Sequence, residues 1–206
     1  MLNLLGVFLV GYLIGSIPTG YLIVRNRHRL DVLKEGSGKA GGFNAYLVTG
    51  SKATGVLVGV VDALKGLVAV YGVGQVFPGE FTNQAVAMFG AVAGQNYPVW
   101  QRFKGGRGLS TTAGGLLLLG FSYTIVWCAL WLAGRLFRRE ILTSNLVAIF
   151  LTPAVLWIIP WKWVNMFIAV ETESGTFLFF TCILSVLLIF AHFDVVSAVW
   201  RQSKTG

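Results

Sequence analysis

Residues 108–137 have the sequence GLSTTAGGLLLLGFSYTIVWCALWLAGRLF, an apolar run of 30 residues. One membrane-spanning helix needs about 20 apolar residues. The run is therefore either one long helix or a hairpin of two short helices. This choice decides the topology, because it sets the side of a membrane on which all later loops lie.

The composition indicates that this run belongs to a membrane protein. The chain of 206 residues is 55% hydrophobic and only 12% charged, and its mean hydropathy is +0.73. That leaves too little polar surface to cover a water-soluble globule. The length allows about six or seven membrane helices with short loops. We therefore expect residues 1–206 to form a single membrane-embedded, all-α domain.

Further apolar runs predict the other spans. The run at the N-terminus has no positively charged segment before it and no small-residue cleavage site after it. We therefore expect it to be a retained first span and not a signal peptide. Counting this one, the predicted spans lie near residues 3–24, 54–74, 84–99, 143–160 and 176–193.

Four clusters of basic residues decide the topology, because cytoplasmic loops of membrane proteins are enriched in Lys and Arg. A single helix across 108–137 would put the third and fourth clusters on the side opposite to the first two. A break near residues 120–123 puts all four on the cytoplasmic side. We therefore expect about seven transmembrane helices, with the N-terminus outside and the C-terminus cytoplasmic. The clusters are Arg25, Arg27, Arg29 and Lys34; Arg102, Lys104 and Arg107; Arg135, Arg138 and Arg139; and Arg201 and Lys204.

The residue types exclude several classes of function. The net charge of +8 is spread over loop clusters and forms no continuous basic face, so lipid headgroups and a phosphorylated substrate are expected as partners and nucleic acid is not. The sequence has no cluster with metal-ligand spacing and no Gly-x-Ser-x-Gly elbow, so we expect no metal site and no serine hydrolase. Cys128 and Cys182 lie in apolar runs and are expected to be buried thiols without function.

Residues 36–44, GSGKAGGFN, form the first polar motif. Its glycines let backbone N–H groups turn towards an anion. Gly36, Gly38 and Gly41 fit a dinucleotide-binding pattern, but no strand precedes them. A nucleotide-binding P-loop is excluded because Lys39 is followed by Ala40 and not by Ser or Thr. An anion site and a merely flexible cytoplasmic loop both remain open.

The second polar motif runs from Gly94 to Thr112. Lys104 and Arg107 flank two glycines, and hydroxyl residues follow where a helix is expected to begin. Cations, backbone amides and a helix N-terminus together form a phosphate site. The alternative is a basic loop that only fixes the topology.

Two further polar features lie at or inside the predicted spans. Asp62 and Lys65 are three residues apart in one helix and share a face. Charges inside a membrane are costly and indicate function, although a structural ion pair is the alternative. His192, near the inner end of the last span, is either an interfacial capping group or a catalyst.

The order of these motifs resembles that of one enzyme family. Gly15-Ser16-Ile17-Pro18, Asp62-x-x-Lys65-Gly66 and Phe103-Lys104-Gly105-Gly106-Arg107-Gly108 follow one another as in the bacterial acyl-phosphate:glycerol-3-phosphate acyltransferases (PlsY). The resemblance implies seven spans in the bacterial inner membrane and an active site facing the cytoplasm. It implies transfer of a fatty acyl group from acyl phosphate to the sn-1 hydroxyl of glycerol 3-phosphate, giving lysophosphatidic acid for phospholipid synthesis. It implies no metal and no other cofactor.

The resemblance also implies roles for individual residues. Ser37, Lys104 and His192 match catalytic positions, and Asp62 and Lys65 match positions that are structural or substrate-binding. The positions expected to bind substrate are Gly36, Gly38, Lys39, Asn44, Gly105, Gly106, Arg107, Gly108 and Thr111.

Several positions depart from the family pattern. Lys39 replaces an asparagine, Leu47 an arginine, Gln95 a histidine and Val195 an asparagine, and Phe43 stands where the family has threonine. The losses remove donors to a substrate phosphate, each worth roughly 1.5–3 kcal/mol. We therefore expect weakened glycerol 3-phosphate binding, another acceptor, or a non-catalytic lipid- or phosphate-binding paralogue. A small transporter is a remote alternative, since the sequence shows no inverted repeats.

Overall fold

The structure is a computed structural model, and it describes residues 4–138 and 140–195, with the side chain of Arg138 excepted. Within these residues the chain is helical and contains no strand, which confirms the all-α prediction. The basic residues Arg139, Arg201 and Lys204, used above to place the C-terminus, lie outside the described residues.

The chain divides at Gly120 into two compact units, so the expected single domain stays a prediction. The first unit contains α1 (Leu4–Ser16), α2 (Thr19–His28), α3 (Gly42–Thr49), α4 (Lys52–Val76), α5 (Phe81–Asn96), a 3-10 turn (Val99–Gln101) and α6 (Leu109–Leu119). The second contains α7 (Phe121–Arg138), α8 (Ile141–Ile158), α9 (Trp161–Asn165) and α10 (Ser174–Ala191).

Four described segments are long and apolar enough, by length and composition, to cross a membrane, as a polytopic membrane protein requires. Helix α6 and residues Phe121–Phe137 of α7 are apolar but shorter. The count of seven spans and the sides on which the termini lie stay predictions. The four segments are Leu4–His28, Lys52–Val76, Ile141–Ile158 and Ser174–Ala191.

The break predicted near residues 120–123 is confirmed at Gly120. Helix α6 ends at Leu119 and α7 begins at Phe121. A Cβ atom on Gly120 would lie 2.4 Å from Cε2 of Phe177, so no larger residue fits without movement. The backbone N–H of Phe121 donates to the carbonyl of Phe167 at 2.9 Å, which satisfies one of the open donors at the start of α7.

The first predicted span, near 3–24, lies within the candidate span Leu4–His28. Its helix is interrupted at Ile17-Pro18, between α1 and α2. Proline has no backbone N–H and disfavours the helical conformation in the residue before it. The interruption leaves the carbonyls of Gly15 and Ile17 without helical partners, and both accept hydrogen bonds from the side chain of Lys65.

Glycines allow α1 and α5 to pack closely in the first unit. Gly11 and Gly15 on α1, and Gly90 and Gly94 on α5, each recur at four-residue spacing. A Cβ atom on Gly11 would lie 2.0 Å from the carbonyl oxygen of Ala87, so the backbones are in direct contact. Such small-residue interfaces are typical of membrane helices, where van der Waals packing drives association.

The cysteines are not buried as expected. Cys128 on α7 and Cys182 on α10 are both free thiols on the exposed surfaces of their helices. In a membrane protein such a surface faces lipid, where an apolar thiol is as stable as in a protein core. In the second unit, the polar contact between these two helices is made instead by Tyr123 and Ser185, whose hydroxyl oxygens lie 2.8 Å apart.

Candidate active site

The side chain of Asn44, on α3, anchors the first glycine-rich loop. This side chain is only 2% exposed. Its Oδ1 accepts a hydrogen bond from the backbone N–H of Ser37 at 2.8 Å. Its Nδ2 donates to the carbonyls of Val32, Glu35 and Lys39 at 3.0, 3.1 and 2.9 Å. Because Asn44 is engaged in this way, its direct role in this structure is to shape the loop, and contact with substrate stays a prediction.

Ser37 lies exposed between two glycines with left-handed backbone conformations. Gly36 has φ of 59° and Gly38 has φ of 65°, values that residues with a Cβ atom rarely adopt. A Cβ atom on Gly36 would also lie 2.2 Å from Oδ1 of Asn44. The segment is therefore an anchored turn that presents Ser37, and not the merely flexible loop that the sequence left open.

The second loop packs directly on the end of α5. The N–H of Gly105 donates to the carbonyl of Asn96 at 3.1 Å, and the N–H of Gly106 donates to the carbonyl of Gln95 at 2.9 Å. A Cβ atom on Gly105 would lie 2.2 Å from the Gln95 carbonyl oxygen. Both amides are therefore used in internal hydrogen bonds, and these glycines serve close packing. Their contact with substrate through the backbone stays a prediction.

The backbone just before Lys104 is strained. Arg102 and Phe103 both have positive φ, at 51° and 63°, which costs energy in residues other than glycine. Two hydrogen bonds hold this conformation, from the N–H of Phe103 to the Pro98 carbonyl at 2.9 Å and from the N–H of Lys104 to the Gln101 carbonyl at 3.1 Å. Strain of this kind is concentrated at functional sites, and here it lifts Lys104 to an exposed position.

The two loops are joined to each other. The N–H of Ala40, in the first loop, donates to the carbonyl of Gly105, in the second, at 3.2 Å. Gly20, in the first turn of α2, packs on the other side of Ala40, where a Cβ atom would lie 2.1 Å from the Ala40 carbonyl oxygen. The structure thus brings the Ser37 and Lys104 motifs, 67 residues apart in the sequence, into one assembly.

The charge around this assembly is positive. Lys104 is exposed and Arg107 is half-buried. Helix α6 begins at Leu109, directly after Gly108 with its φ of 77°, and a helix N-terminus attracts anions. Thr111 is fully buried. Its hydroxyl has no hydrogen-bond partner among the described residues, so contact with substrate would require it to become accessible.

Asp62 and Lys65 form a buried ion pair inside the first unit, with Nζ and Oδ1 2.9 Å apart. Lys65 also donates to the carbonyls of Gly15 and Ile17, at 3.2 and 3.0 Å. The hydroxyl of Thr19 donates to Asp62 at 2.7 Å. The pair therefore satisfies the polar groups at the interruption between α1 and α2. This favours the interpretation of Asp62 and Lys65 as a structural ion pair.

Gln95, which stands where the family has histidine, completes this network. Its Nε2 donates to Oδ2 of Asp62 at 2.8 Å, and its Oε1 accepts a hydrogen bond from Lys65. The sequence identified Gln95 only as a departure from the family pattern and did not predict its contact with the ion pair. It missed Thr19 as well, although a hydroxyl residue directly after a helix-breaking proline was an available signal.

His192 and Val195 belong to the second unit. His192 follows the last residue of α10 and is fully buried, so it does not reach out to the interface as a snorkelling group would. Its Nδ1 lies 2.8 Å from the carbonyl of Leu188. A carbonyl can only accept, so Nδ1 carries the proton and donates, which fixes the ring orientation. A catalytic role for His192 stays a prediction.

Comparison with known proteins decides the family. Residues 5–202 match the family model described as glycerol-3-phosphate acyltransferase. The chain belongs to this family. The glycerol-3-phosphate acyltransferase of Bradyrhizobium diazoefficiens is 37% identical over 200 residues, which cover 96% of this chain and 92% of the relative. Glycerol-3-phosphate acyltransferase 2 of Moorella thermoacetica is 38% identical over 158 residues, covering 75% and 79%.

The fold matches that of a solved member. Crystal structures of PlsY, an integral membrane glycerol 3-phosphate acyltransferase, cover 97% of this chain and 93% of their own. The glycerol 3-phosphate form has a TM-score of 0.75 at 24% identity, and the lysophosphatidic acid form has 0.73 at 25%. The family predicted from the sequence motifs is therefore confirmed, and the protein is a membrane acyltransferase of phospholipid synthesis.

Proposed function

We propose that this protein transfers a fatty acyl group from acyl phosphate to the sn-1 hydroxyl of glycerol 3-phosphate, at the cytoplasmic face of the bacterial inner membrane. The observation that carries the proposal is the hydrogen bond between Ala40 and Gly105, which joins the Ser37 loop to the loop with Lys104 and Arg107. Both substrates carry phosphate, and this assembly combines an exposed hydroxyl, cations and a helix N-terminus. A relative that matches 96% of this chain and carries this enzyme name does not favour the non-catalytic alternative.

The chemistry is attack by the acceptor hydroxyl on the acyl carbonyl carbon. A carbon–oxygen bond forms to the acceptor, the bond from the acyl carbon to the phosphate oxygen breaks, and inorganic phosphate leaves with the hydroxyl proton. Acyl phosphate is already an activated anhydride, so the work of the site is to position both substrates and to stabilise negative charge. In this proposal no metal ion is needed.

Each loop has its own part in this proposal. Ser37 binds and orients the glycerol phosphate, with Lys39 as a nearby cation. Lys104 and Arg107 bind the phosphate of the acyl donor and stabilise its charge as it leaves.

The experiment is an assay on the purified protein in detergent, in which acyl phosphate is supplied with glycerol 3-phosphate and released phosphate is measured. We expect release that depends on the acceptor, and formation of lysophosphatidic acid. Lys104→Ala should abolish it, because the variant removes the exposed cation of the second loop. Cys128→Ala, an exposed residue of the second unit, is the control and should keep full activity. The proposal fails if wild-type protein shows no acceptor-dependent release at high glycerol 3-phosphate concentration.

A further inference from the structure

Gln95 occupies the place where the buried ion pair meets the second loop. Its side chain is only 6% exposed. Its amide N–H donates to Asp62 at 2.8 Å and its amide oxygen accepts from Lys65. Its own backbone carbonyl accepts the N–H of Gly106 at 2.9 Å. One residue thus contacts the ion pair through its side chain and the loop through its backbone.

The contact with the loop is tight. A Cβ atom on Gly106 would lie 2.8 Å from Nε2 of Gln95, so the side-chain amide itself lies against the loop backbone. The neighbouring Gly105 packs on the Gln95 carbonyl oxygen and carries the hydrogen bond to Ala40. A shift of the Gln95 side chain would therefore move Gly106, and with it the segment that presents Lys104 and Arg107.

We propose that Gln95 is a positioning residue that transmits the fixed geometry of the Asp62–Lys65 pair to the Lys104–Gly108 loop. This inference rests on the proposed function, in which that loop binds the phosphate of the acyl donor. Gln95 touches no substrate in this scheme, and it acts through the loop. The geometry of the phosphate site then depends on the contact of Asp62 and Lys65, on α4, with Gln95, on α5.

The chemistry of the side chain explains why an amide suits this position. A carboxylate offers only acceptors and an ammonium only donors, whereas an amide offers both in one plane. Gln95 therefore bonds Asp62 and Lys65 at the same time, and it carries no charge that changes with pH. Leucine would fill similar volume but would leave both charged partners short of a buried hydrogen bond.

Histidine can replace Gln95 in this network only while its ring is neutral. A neutral imidazole has one donor nitrogen and one acceptor nitrogen, as the amide does, but a protonated ring has two donors and cannot accept from Lys65. The charged groups facing this position are Asp62 and Lys65 of α4. Helix α1 offers carbonyls and Tyr12, whose hydroxyl is bonded to the Tyr97 carbonyl, and α6 contains no titratable residue. Lys104 and Arg107 lie in the loop itself.

The first test compares steady-state kinetics of the wild type, Gln95→Leu and Gln84→Leu in detergent. Gln84 is a matched control, since it is also a buried glutamine of α5 but has no contact with the ion pair among the described hydrogen bonds. Loss of a buried bond to a charged group predicts that Gln95→Leu raises the KM for acyl phosphate about tenfold or more. The KM for glycerol 3-phosphate should change much less, and Gln84→Leu should leave both unchanged. An unchanged KM for acyl phosphate in Gln95→Leu would overturn the inference.

The second test is the pH profile of Gln95→His relative to the wild type. We expect near wild-type activity above about pH 7.5 and a progressive loss relative to the wild type towards about pH 5.5, as the ring protonates. A role in packing alone would give a constant ratio at every pH, and that result would contradict a bridging role.

The third measurement separates this inference from the proposed function. Hydrogen–deuterium exchange at residues 104–108 needs no enzyme activity, and it should become faster in Gln95→Leu but not in Gln84→Leu. If the wild type released no phosphate, the proposed function would fail while this measurement would still test the positioning. Unchanged exchange in Gln95→Leu would show that Gln95 does not hold the loop.

Discussion

The two loops of the candidate site are held in different ways. The loop around Ser37 is anchored by the side chain of Asn44, whose hydrogen bonds reach the backbone at Val32, Glu35, Ser37 and Lys39. The loop around Lys104 is fixed by backbone bonds from Gly105 and Gly106 to the end of α5. The first arrangement can be broken by removing a functional group, and the second by adding a methyl group. The contrast predicts different sensitivities to substitution.

Among variants that disturb the anchoring of the loops, the largest effect is expected for Gly105→Ala. The added Cβ atom would lie 2.2 Å from a backbone oxygen of Gln95 and 2.5 Å from the ring of Pro98, and neither can move aside as a flexible side chain could. The loop must therefore shift, and a displacement of about 1 Å at a catalytic group can cost on the order of 100-fold in rate. Phosphate release measures the loss.

Gly72→Ala is the control for this variant. Gly72 lies in α4 and a Cβ atom there would meet no atom within 4 Å. Alanine also favours a helix more than glycine does, so this variant should be fully active and no less stable. Wild-type activity in Gly105→Ala would show that the loop tolerates displacement, and it would remove the packing argument.

A smaller effect is expected for Asn44→Ala. This buried side chain accepts one hydrogen bond and shares its two amide hydrogens among three carbonyls. Three bonds at about 0.5–1.5 kcal/mol each predict a loss of roughly 1.5–4.5 kcal/mol in the stability of the loop. Faster hydrogen exchange at residues 32–39 should accompany a lower activity. Residues 104–108 should keep wild-type exchange, because the N–H groups of Lys104, Gly105 and Gly106 donate to carbonyls outside the first loop.

Asn44→Asp sharpens this test. Aspartate keeps an acceptor for the N–H of Ser37 but cannot donate to the carbonyls of Val32, Glu35 and Lys39. If the donated bonds anchor the loop, this variant should exchange as fast as Asn44→Ala. Wild-type exchange in the aspartate variant would assign the anchoring to the single bond with Ser37.

The helices were predictable from local sequence because each depends mainly on an apolar run. The run at 54–74 became α4, and the break near residues 120–123 occurred at Gly120. The interruption at Pro18 was missed, since its open carbonyls are stabilised by Lys65, 48 and 50 residues away. No local pattern predicts such a distant partner.

The same limit applies to the candidate site. The sequence predicted the glycine-rich and basic motifs, because those residue types suit phosphate. It did not predict that Gly105 and Gly106 use their amides internally, or that Gln95 bridges an ion pair whose carboxylate is 33 residues away. These features follow from the packing of α5 against α4 and α1, which is set by tertiary contacts. The kind of chemistry that each side chain offers was predictable from the sequence, whereas the residues that each one contacts were not.

The smallest effect concerns the surface next to the Asn44-anchored loop. Leu47 is 53% exposed on α3, three residues after Asn44 and therefore on a neighbouring part of the same helix face. An exposed apolar side chain there gives no help in binding a phosphate. Leu47→Arg adds a donor with a charge, and it should lower the KM for glycerol 3-phosphate about three- to tenfold, since solvent screens an exposed charge.

The control for that variant is Leu47→Gln, which removes the same apolar group and adds no charge. It should leave the KM for glycerol 3-phosphate near the wild-type value, and neither variant should change the KM for acyl phosphate, because that substrate is assigned to the other loop. Equal KM values for glycerol 3-phosphate in the arginine and glutamine variants would mean that Leu47 does not face the acceptor. A change in the KM for acyl phosphate instead would exchange the substrates assigned to the two loops.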